Sequence, residues 1–348
     1  MRATVLKGVR DVVVEDVPDP VLPGPDGLIL QVERTAICGS DLHLYHGPMT
    51  IPGVHLGHEF VGTVAEAGPE VHSVRVGDRV LVSGVIGCGR CAACRAGDPV
   101  VCRNSGTQIF GTNLALAGGQ AEAVAVPAAD ASVIRIPSDI TVEQAVLLTD
   151  ILPTGYLGAS RADITPGDTV AVVGLGPVGV FALQCAQLFG PARILAVDMV
   201  PERLANAERL GAEPIDARAG GGTVASVMEA TGGRGADAVI EAVGADQSIT
   251  DAIMITAPGG TTSVIGVNLN FAFPYPVPLA LMKRLTFRVT LCSVPSTWEA
   301  LIPLVASGRL DPQDVFTHKM GLSEVAEAYR LFEAREDGIL KVLLDPSA

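Results

Sequence analysis

The run Gly174-Leu-Gly176-Pro177-Val178-Gly179 constrains this chain more than any other feature, because of what flanks it. Residues 169–173 read as a fully apolar strand and residues 178–189 as a helix, so the glycines occupy a strand-to-helix turn. In such a turn the first glycine permits the reversal, the second lets backbone approach a pyrophosphate, and the third lets the helix pack closely on the sheet. The phosphates of a dinucleotide would rest at the helix start, around Gly176, Pro177 and Val178. A glycine turn of purely structural use is the alternative.

Asp198 closes the next apolar strand, 194–197, about twenty residues beyond the glycines, where a carboxylate can hold both ribose hydroxyls. A 2′-phosphate would meet like charge there, so NAD is favoured over NADP, although Arg203, one turn into the helix expected at 201–210, works against that preference. Further strands at 238–240 and 261–265 alternate with helices, and near-continuous apolar runs among the strands indicate a parallel sheet covered on both faces. The expectation is an α/β, doubly wound nucleotide-binding domain over residues 152–292. A Pro-rich stretch, 271–280, interrupts the pattern before a strand at 286–290.

The preceding residues have a different grammar. Short β segments at 4–6, 28–35 and 60–67, with a turn at 76–80 feeding another strand, are separated by Pro and Gly and predict a mostly antiparallel β body. Two amphipathic helices, 297–307 and 323–334, and a strand at 340–344 close the sequence. A length of 348 residues is too great for one ordinary core and fits two domains.

Cysteine usage separates into two constellations. Cys88-Gly-Arg-Cys91-Ala-Ala-Cys94, with Cys102 shortly after, can close a tetrahedral shell around one zinc and leave no position for substrate. Residues 84–104 show neither strand nor helix periodicity, and a bound metal would supply the order that apolar burial does not. Four thiolates also suit an iron–sulfur cluster, and disulfides are a further alternative. The scattered set Cys38, His58, Glu59 and Asp150 mixes sulfur, nitrogen and oxygen, as befits a zinc that keeps a site open for chemistry. Taken alone, His58 reads equally well as a satisfied core histidine. Beside a nucleotide domain the set gains meaning, since zinc lowers the pKa of a bound alcohol, which can then pass hydride to a nicotinamide.

Net charge of −14 argues against nucleic acid or an anionic membrane as partner. The first twenty residues alternate like strands without an apolar signal segment, and thiolate clusters suit a reducing compartment, so cytoplasmic residence is the default expectation. Cys185 falls on the apolar side of a helix and reads as a small core residue.

With these motifs in this order, the sequence resembles the zinc-dependent alcohol dehydrogenase family of the medium-chain dehydrogenase/reductase superfamily along nearly its whole length. That resemblance implies a GroES-like, mostly β catalytic domain (1–151), a Rossmann NAD-binding domain (152–292) and a C-terminal return to the catalytic domain (293–348). It makes Cys38, His58 and Asp150 ligands of a catalytic zinc, with Glu59 behind the metal or transiently coordinating it, and the four-cysteine lobe the site of a structural zinc. Ser40 matches the hydroxyl that accepts the substrate's proton, and His43 the relay member beyond it. Thr154, Val243, Gly244, Gly266 and Val267 match cofactor contacts, and Lys341 lies near the pyrophosphate. Arg203 belongs with Asp198 at the ribose.

The function implied is NAD-linked, reversible oxidation of a secondary alcohol to a ketone. A polyol, sugar-alcohol or 2,3-butanediol dehydrogenase is the nearest rival, and threonine or formaldehyde dehydrogenase a weaker one. Many primary-alcohol members carry a bulky aromatic at the position of Gly84, and its absence reads as added volume near the zinc. Relatives pair through the strand matching 285–290, which implies a homotetramer or a dimer.

Overall fold

The computed structural model describes all residues except Pro48, Gln313, Asp314 and Asp337. The chain forms two compact units, one of Met1–Pro153 with Ser293–Ala348, the other of Thr154–Cys292.

In the second unit six parallel strands lie in the order Glu213–Asp216, Arg193–Asp198, Thr169–Val173, Ala236–Glu241, Thr256–Val264, Thr286–Val289. Numbered along the chain this is 3-2-1-4-5-6, the Rossmann order, whose switch point falls beside the first strand. Thr169–Val173 and Arg193–Asp198 are apolar over their centres because helices cover both faces, whereas the interior strand Thr256–Val264 buries Thr256, Thr261, Thr262 and Ser263; Ala171, Val173, Leu195, Val197, Val239 and Ile255 share one buried cluster. Each valine, leucine or isoleucine among them contributes about 1.5–3 kcal/mol by leaving water. Thr169–Val173 has the bounds expected from sequence, and the helix after it runs Pro177–Gln187, slightly shorter than the apolar pattern suggests.

The Pro-rich stretch corrects one expectation. It is not only an interruption, since Val277–Lys283 is helical, with Pro276 at its N-cap and Pro278 within its first turn. Proline is tolerated there because first-turn N–H groups have no intrahelical acceptor.

The first unit is built on a seven-stranded sheet. Its main path is His318–Gly321, Val342–Asp345, Leu28–Ala36, Glu59–Ala67, Arg79–Val82, Val133–Arg135, with Ala123–Val126 also paired to Leu28–Ala36. Two strands therefore come from the C-terminal segment and the rest from the N-terminal one. One core cluster joins Leu6, Ile37, Leu56, Tyr329 and Val342, and a second joins Leu30, Phe60, Val80 and Phe110. Residues 84–104, expected to be irregular, hold only a two-residue strand, a one-turn helix Ala92–Arg95 and a 3-10 turn Pro99–Val101. Among the described residues no helix is long and apolar enough to cross a membrane.

Candidate active site

Three elements of the first unit deliver the scattered set. Cys38 follows the strand Leu28–Ala36, while His58 and Glu59 sit where Glu59–Ala67 begins. Asp150 follows the helix Val142–Leu147, whose start is fixed by a capping box: Thr141 Oγ1 accepts from Gln144 N, and Gln144 Oε1 accepts from Thr141 N. Trp298 Nε1 ties the other end down by donating to Leu148 O at 3.0 Å.

These elements bring ligand atoms of Cys38, His58, Glu59 and Asp150 within 4.8 Å of one another. Asp150 Oδ2 lies 3.6 Å from Cys38 Sγ and 3.5 Å from His58 Nε2. Ser40 Oγ is 3.2 Å from both Cys38 Sγ and His58 Nε2. On the far side of the ring, His58 Nδ1 lies 3.2 Å from Asp41 Oδ1, in ion-pair range without an aligned hydrogen bond.

The electrostatics suit a cation. Burial pulls the His58 pKa down, but Asp41 and Cys38 outweigh it and hold the ring well above its ordinary value. Burial raises the Cys38 thiol despite His58 nearby. A place where anionic groups stabilise positive charge on an imidazole would equally stabilise a divalent ion, with the imidazole then neutral. Glu59 adds a sharper sign. Its Oε1 accepts from Lys341 Nζ at 2.6 Å, whereas its Oε2 is buried with no hydrogen-bond partner among the described residues. An orphaned carboxylate oxygen beside thiol, imidazole and carboxylate fits a metal.

The cysteine lobe passes the same test. Cys88, Cys91, Cys94 and Cys102 have their Sγ atoms within 4.8 Å of one another, and none is in a disulfide. Backbone N–H groups point at the sulfurs: Cys91 N at Cys88 Sγ, and both Cys88 N and Ser105 N at Cys102 Sγ, each 3.4 Å. Ser105 holds the Cys102 thiol down to about 5, while burial pushes Cys94 up to about 12. N–H donors aimed at sulfur favour thiolates, the form that binds zinc. The lobe is seated on the C-terminal segment, with Asp98 accepting from Ser293 Oγ and Gly97 packed on Ser296.

In the second unit Gly174 has φ of 90° and its missing Cβ would strike Val243, while a Cβ on Gly179 would strike Gly174 O. Gly176 instead faces open space, its nearest neighbour being Arg203 Nη1 at 3.9 Å. That combination leaves bare backbone where a phosphate could approach. Asp198 Oδ2 accepts from Leu175 N at 2.7 Å and Oδ1 from Met199 N and Val200 N, so the carboxylate also braces the turn. Arg203 Nη1 lies 3.6 Å from Asp198 Oδ2. Gly244 and Gly266 touch backbone to backbone, and Val243 and Val267 stay exposed beside them. Thr154 lies in the helix Ile151–Ser160.

Two expectations are revised. Lys341, expected near a pyrophosphate, is fully buried and gives its protons to Glu59 and to Ile37 O at 3.0 Å. Gly84 does not vacate a pocket: a Cβ there would lie 2.7 Å from His58 O, so close backbone approach explains the glycine. His43, in the one-turn helix Asp41–Tyr45, is half-buried, and burial lowers its pKa. Sequence reasoning missed the residues behind His58, namely Asp41, Gln120 and Tyr329. Only Asp41 was within reach of the pattern, as the acid closing Cys38-Gly-Ser-Asp41.

Residues 24–138 match the model of the alcohol dehydrogenase GroES-like domain, and residues 177–307 that of zinc-binding dehydrogenases. A "Probable zinc-binding alcohol dehydrogenase" of Mycobacterium tuberculosis is 50% identical over 350 residues, spanning 100% of this chain and 89% of its own. The structure of an alcohol dehydrogenase from Thermus sp. ATN1 superposes with a TM-score of 0.92 at 40% identity, covering 99% of both chains. That of 2R,3R-butanediol dehydrogenase from Bacillus subtilis gives 0.83 at 27%, again over 99% of each.

Proposed function

Because the chain belongs to the zinc-type alcohol dehydrogenases of the medium-chain dehydrogenase/reductase superfamily, we propose that it catalyses reversible, NAD-linked oxidation of a secondary alcohol to a ketone. The observation that carries this reading is the buried set Cys38, His58, Glu59 and Asp150, with the Ser40 hydroxyl against two of its members. A zinc at that set would supply Lewis acidity toward a hydroxyl, and NAD at the glycine turn would supply the hydride acceptor.

The residues divide the remaining work. Cys38, His58 and Asp150 would hold the metal, with Glu59, tethered by Lys341, beside them. Ser40 takes the proton released from the substrate hydroxyl, and His43, kept neutral by its burial, takes it onward. Gly174, Gly176 and Gly179, with Pro177 and Val178, accommodate the pyrophosphate, and Asp198 binds the ribose. Thr154, Val243, Gly244, Gly266 and Val267 flank the nicotinamide half. Cys88, Cys91, Cys94 and Cys102 hold a second, structural zinc.

A diol such as 2,3-butanediol is the second reading, favoured by the likeness to the Bacillus subtilis enzyme. We further infer that the protein pairs with copies of itself, as tetramer or dimer, through the edge strand Thr286–Val289, beside which Leu281, Met282 and Val289 are exposed. Metal-replete protein should reduce NAD with 2-propanol or 2,3-butanediol faster than with sorbitol, threonine or formaldehyde, and faster than it reduces NADP. Turnover confined to threonine or formaldehyde would overturn the secondary-alcohol reading.

A further inference from the structure

Behind the imidazole of His58 a chain of buried polar groups runs inward through the first unit. Asp41, Gln120 and Tyr329 are 1%, 0% and 0% exposed. Asp41 serves two neighbours of the proposed metal together: Oδ2 accepts from Cys38 N at 3.0 Å, and Oδ1 faces His58 Nδ1 at 3.2 Å. Gln120 Nε2 donates to the same Oδ2 at 3.3 Å and to Ala36 O at 3.2 Å. Tyr329 Oη donates to Gln120 Oε1 at 3.0 Å.

The orientation of the Gln120 amide follows from its partners. Ala36 O and the Asp41 carboxylate are both acceptors, so they require the NH₂ end, and Oε1 must then face Tyr329. The hydroxyl has only one useful role left, that of donor. Space is restricted as well. Gly57, which precedes His58, has φ of 102°, and a Cβ on it would lie 2.7 Å from Gln120 N. The backbone at 120 is also held, by Gln120 N donating to Leu56 O and Thr4 N donating to Gln120 O.

We propose that Gln120 and Tyr329 are positioning residues: a buried strut that fixes Asp41, and through it the His58 ring and the Cys38 backbone, so that zinc leaves this site slowly. The inference rests on the reading that Cys38, His58 and Asp150 hold a zinc. Its physical content is that a ligand whose outer partners are locked has little freedom to swing off the metal, and loss of such partners typically weakens retention about 10–100-fold.

The test follows zinc release from the zinc-loaded protein into an excess of a chromogenic chelator. Two zincs per chain are expected in the parent, and Cys38→Ser should lose one of them, identifying its phase. Tyr329→Phe and Gln120→Met should each accelerate that phase about tenfold while the phase of the cysteine lobe keeps its rate. Because the strut acts through Asp41, Tyr329→Phe in an Asp41→Asn background should add less than about twofold. Parental release in both single variants, or equal acceleration with and without Asp41, would overturn the proposal. Two zincs retained by Cys38→Ser would overturn the metal reading itself, and this proposal with it.

Discussion

Gly84 and His58 meet backbone to backbone: a Cβ on Gly84 would lie 2.7 Å from His58 O, and Gly84 N donates to Thr149 O at 3.1 Å. Gly84 thus touches the peptides that carry one proposed ligand and precede another, Asp150. Gly84→Trp should therefore displace His58 instead of trimming a substrate pocket, and Gly84→Ala alone should cost about 1–3 kcal/mol. Thermal unfolding and zinc content check this; an unchanged midpoint and full zinc in the alanine variant would show that the contact yields freely.

Lys341→Met should destabilise the protein by about 3–5 kcal/mol, because it leaves Glu59 as a buried, unpaired carboxylate. Adding Glu59→Gln to that variant should restore much of the loss. Denaturant unfolding of the two single variants and the double variant measures the coupling.

Cys94→Ser should leave one zinc fewer per chain and a lower melting temperature, since metal affinity in such a lobe is folding energy. Cys38→Ser should instead abolish most turnover with a smaller effect on melting. Equal melting of Cys94→Ser and parent would contradict a metal-linked lobe.

Removing the carboxylate in Asp198→Gly takes away the negative charge, 3.6 Å from Arg203, that a 2′-phosphate would meet. The ratio of kcat/KM for NAD over NADP should fall at least about tenfold, the equivalent of roughly 1.4 kcal/mol. Arg203→Leu in that background should reverse the gain with NADP; a ratio unmoved by either change would remove both residues from cofactor selection.

Burial raises the Glu33 carboxyl, but hydrogen bonds from Arg79 and Thr63 outweigh it and hold the group below its ordinary 4.5. A carboxyl depressed in the folded state contributes stability fully above its unfolded value, and that contribution is lost as pH falls through the folded value. Arg79→Met should therefore shift acid unfolding to higher pH while costing no more than about 1 kcal/mol near neutrality, the pair being partly exposed. Unfolding followed from pH 7 to pH 2 or so tests the sign.

The parallel-sheet unit is legible wherever one physical cause sets the pattern. A strand buried on both faces favours a continuous apolar run, which makes Thr169–Val173 readable to the residue. Glu213–Asp216 escaped because it is a four-residue edge strand with charged ends and Pro214 inside, a composition that edges tolerate. The helix Val277–Lys283 is hard to read from sequence because proline breaks a helix everywhere but in its first turn, where Pro278 lies. Both candidate metal-ligand sets are visible because thiol and imidazole side chains are scarce and chemically committed. Gln120 and Tyr329 carry no such mark: their meaning arises from contacts 79 and 209 residues apart in sequence, which no local pattern records.

The sheet of the first unit is completed by Val342–Asp345, and the cation facing Glu59 is 282 residues downstream of it. At about 5–20 residues per second, a ribosome delivers that lysine roughly tens of seconds after the carboxylate. Until then the nascent N-terminal segment has one strand edge open and an acid with no counter-ion to bury. The Thr154–Cys292 unit, whose strands all lie within one continuous stretch, is free to fold first. A chain that stopped before Lys341 would thus hold a Thr154–Cys292 unit able to fold and a first-unit sheet left open, a product for quality-control proteases.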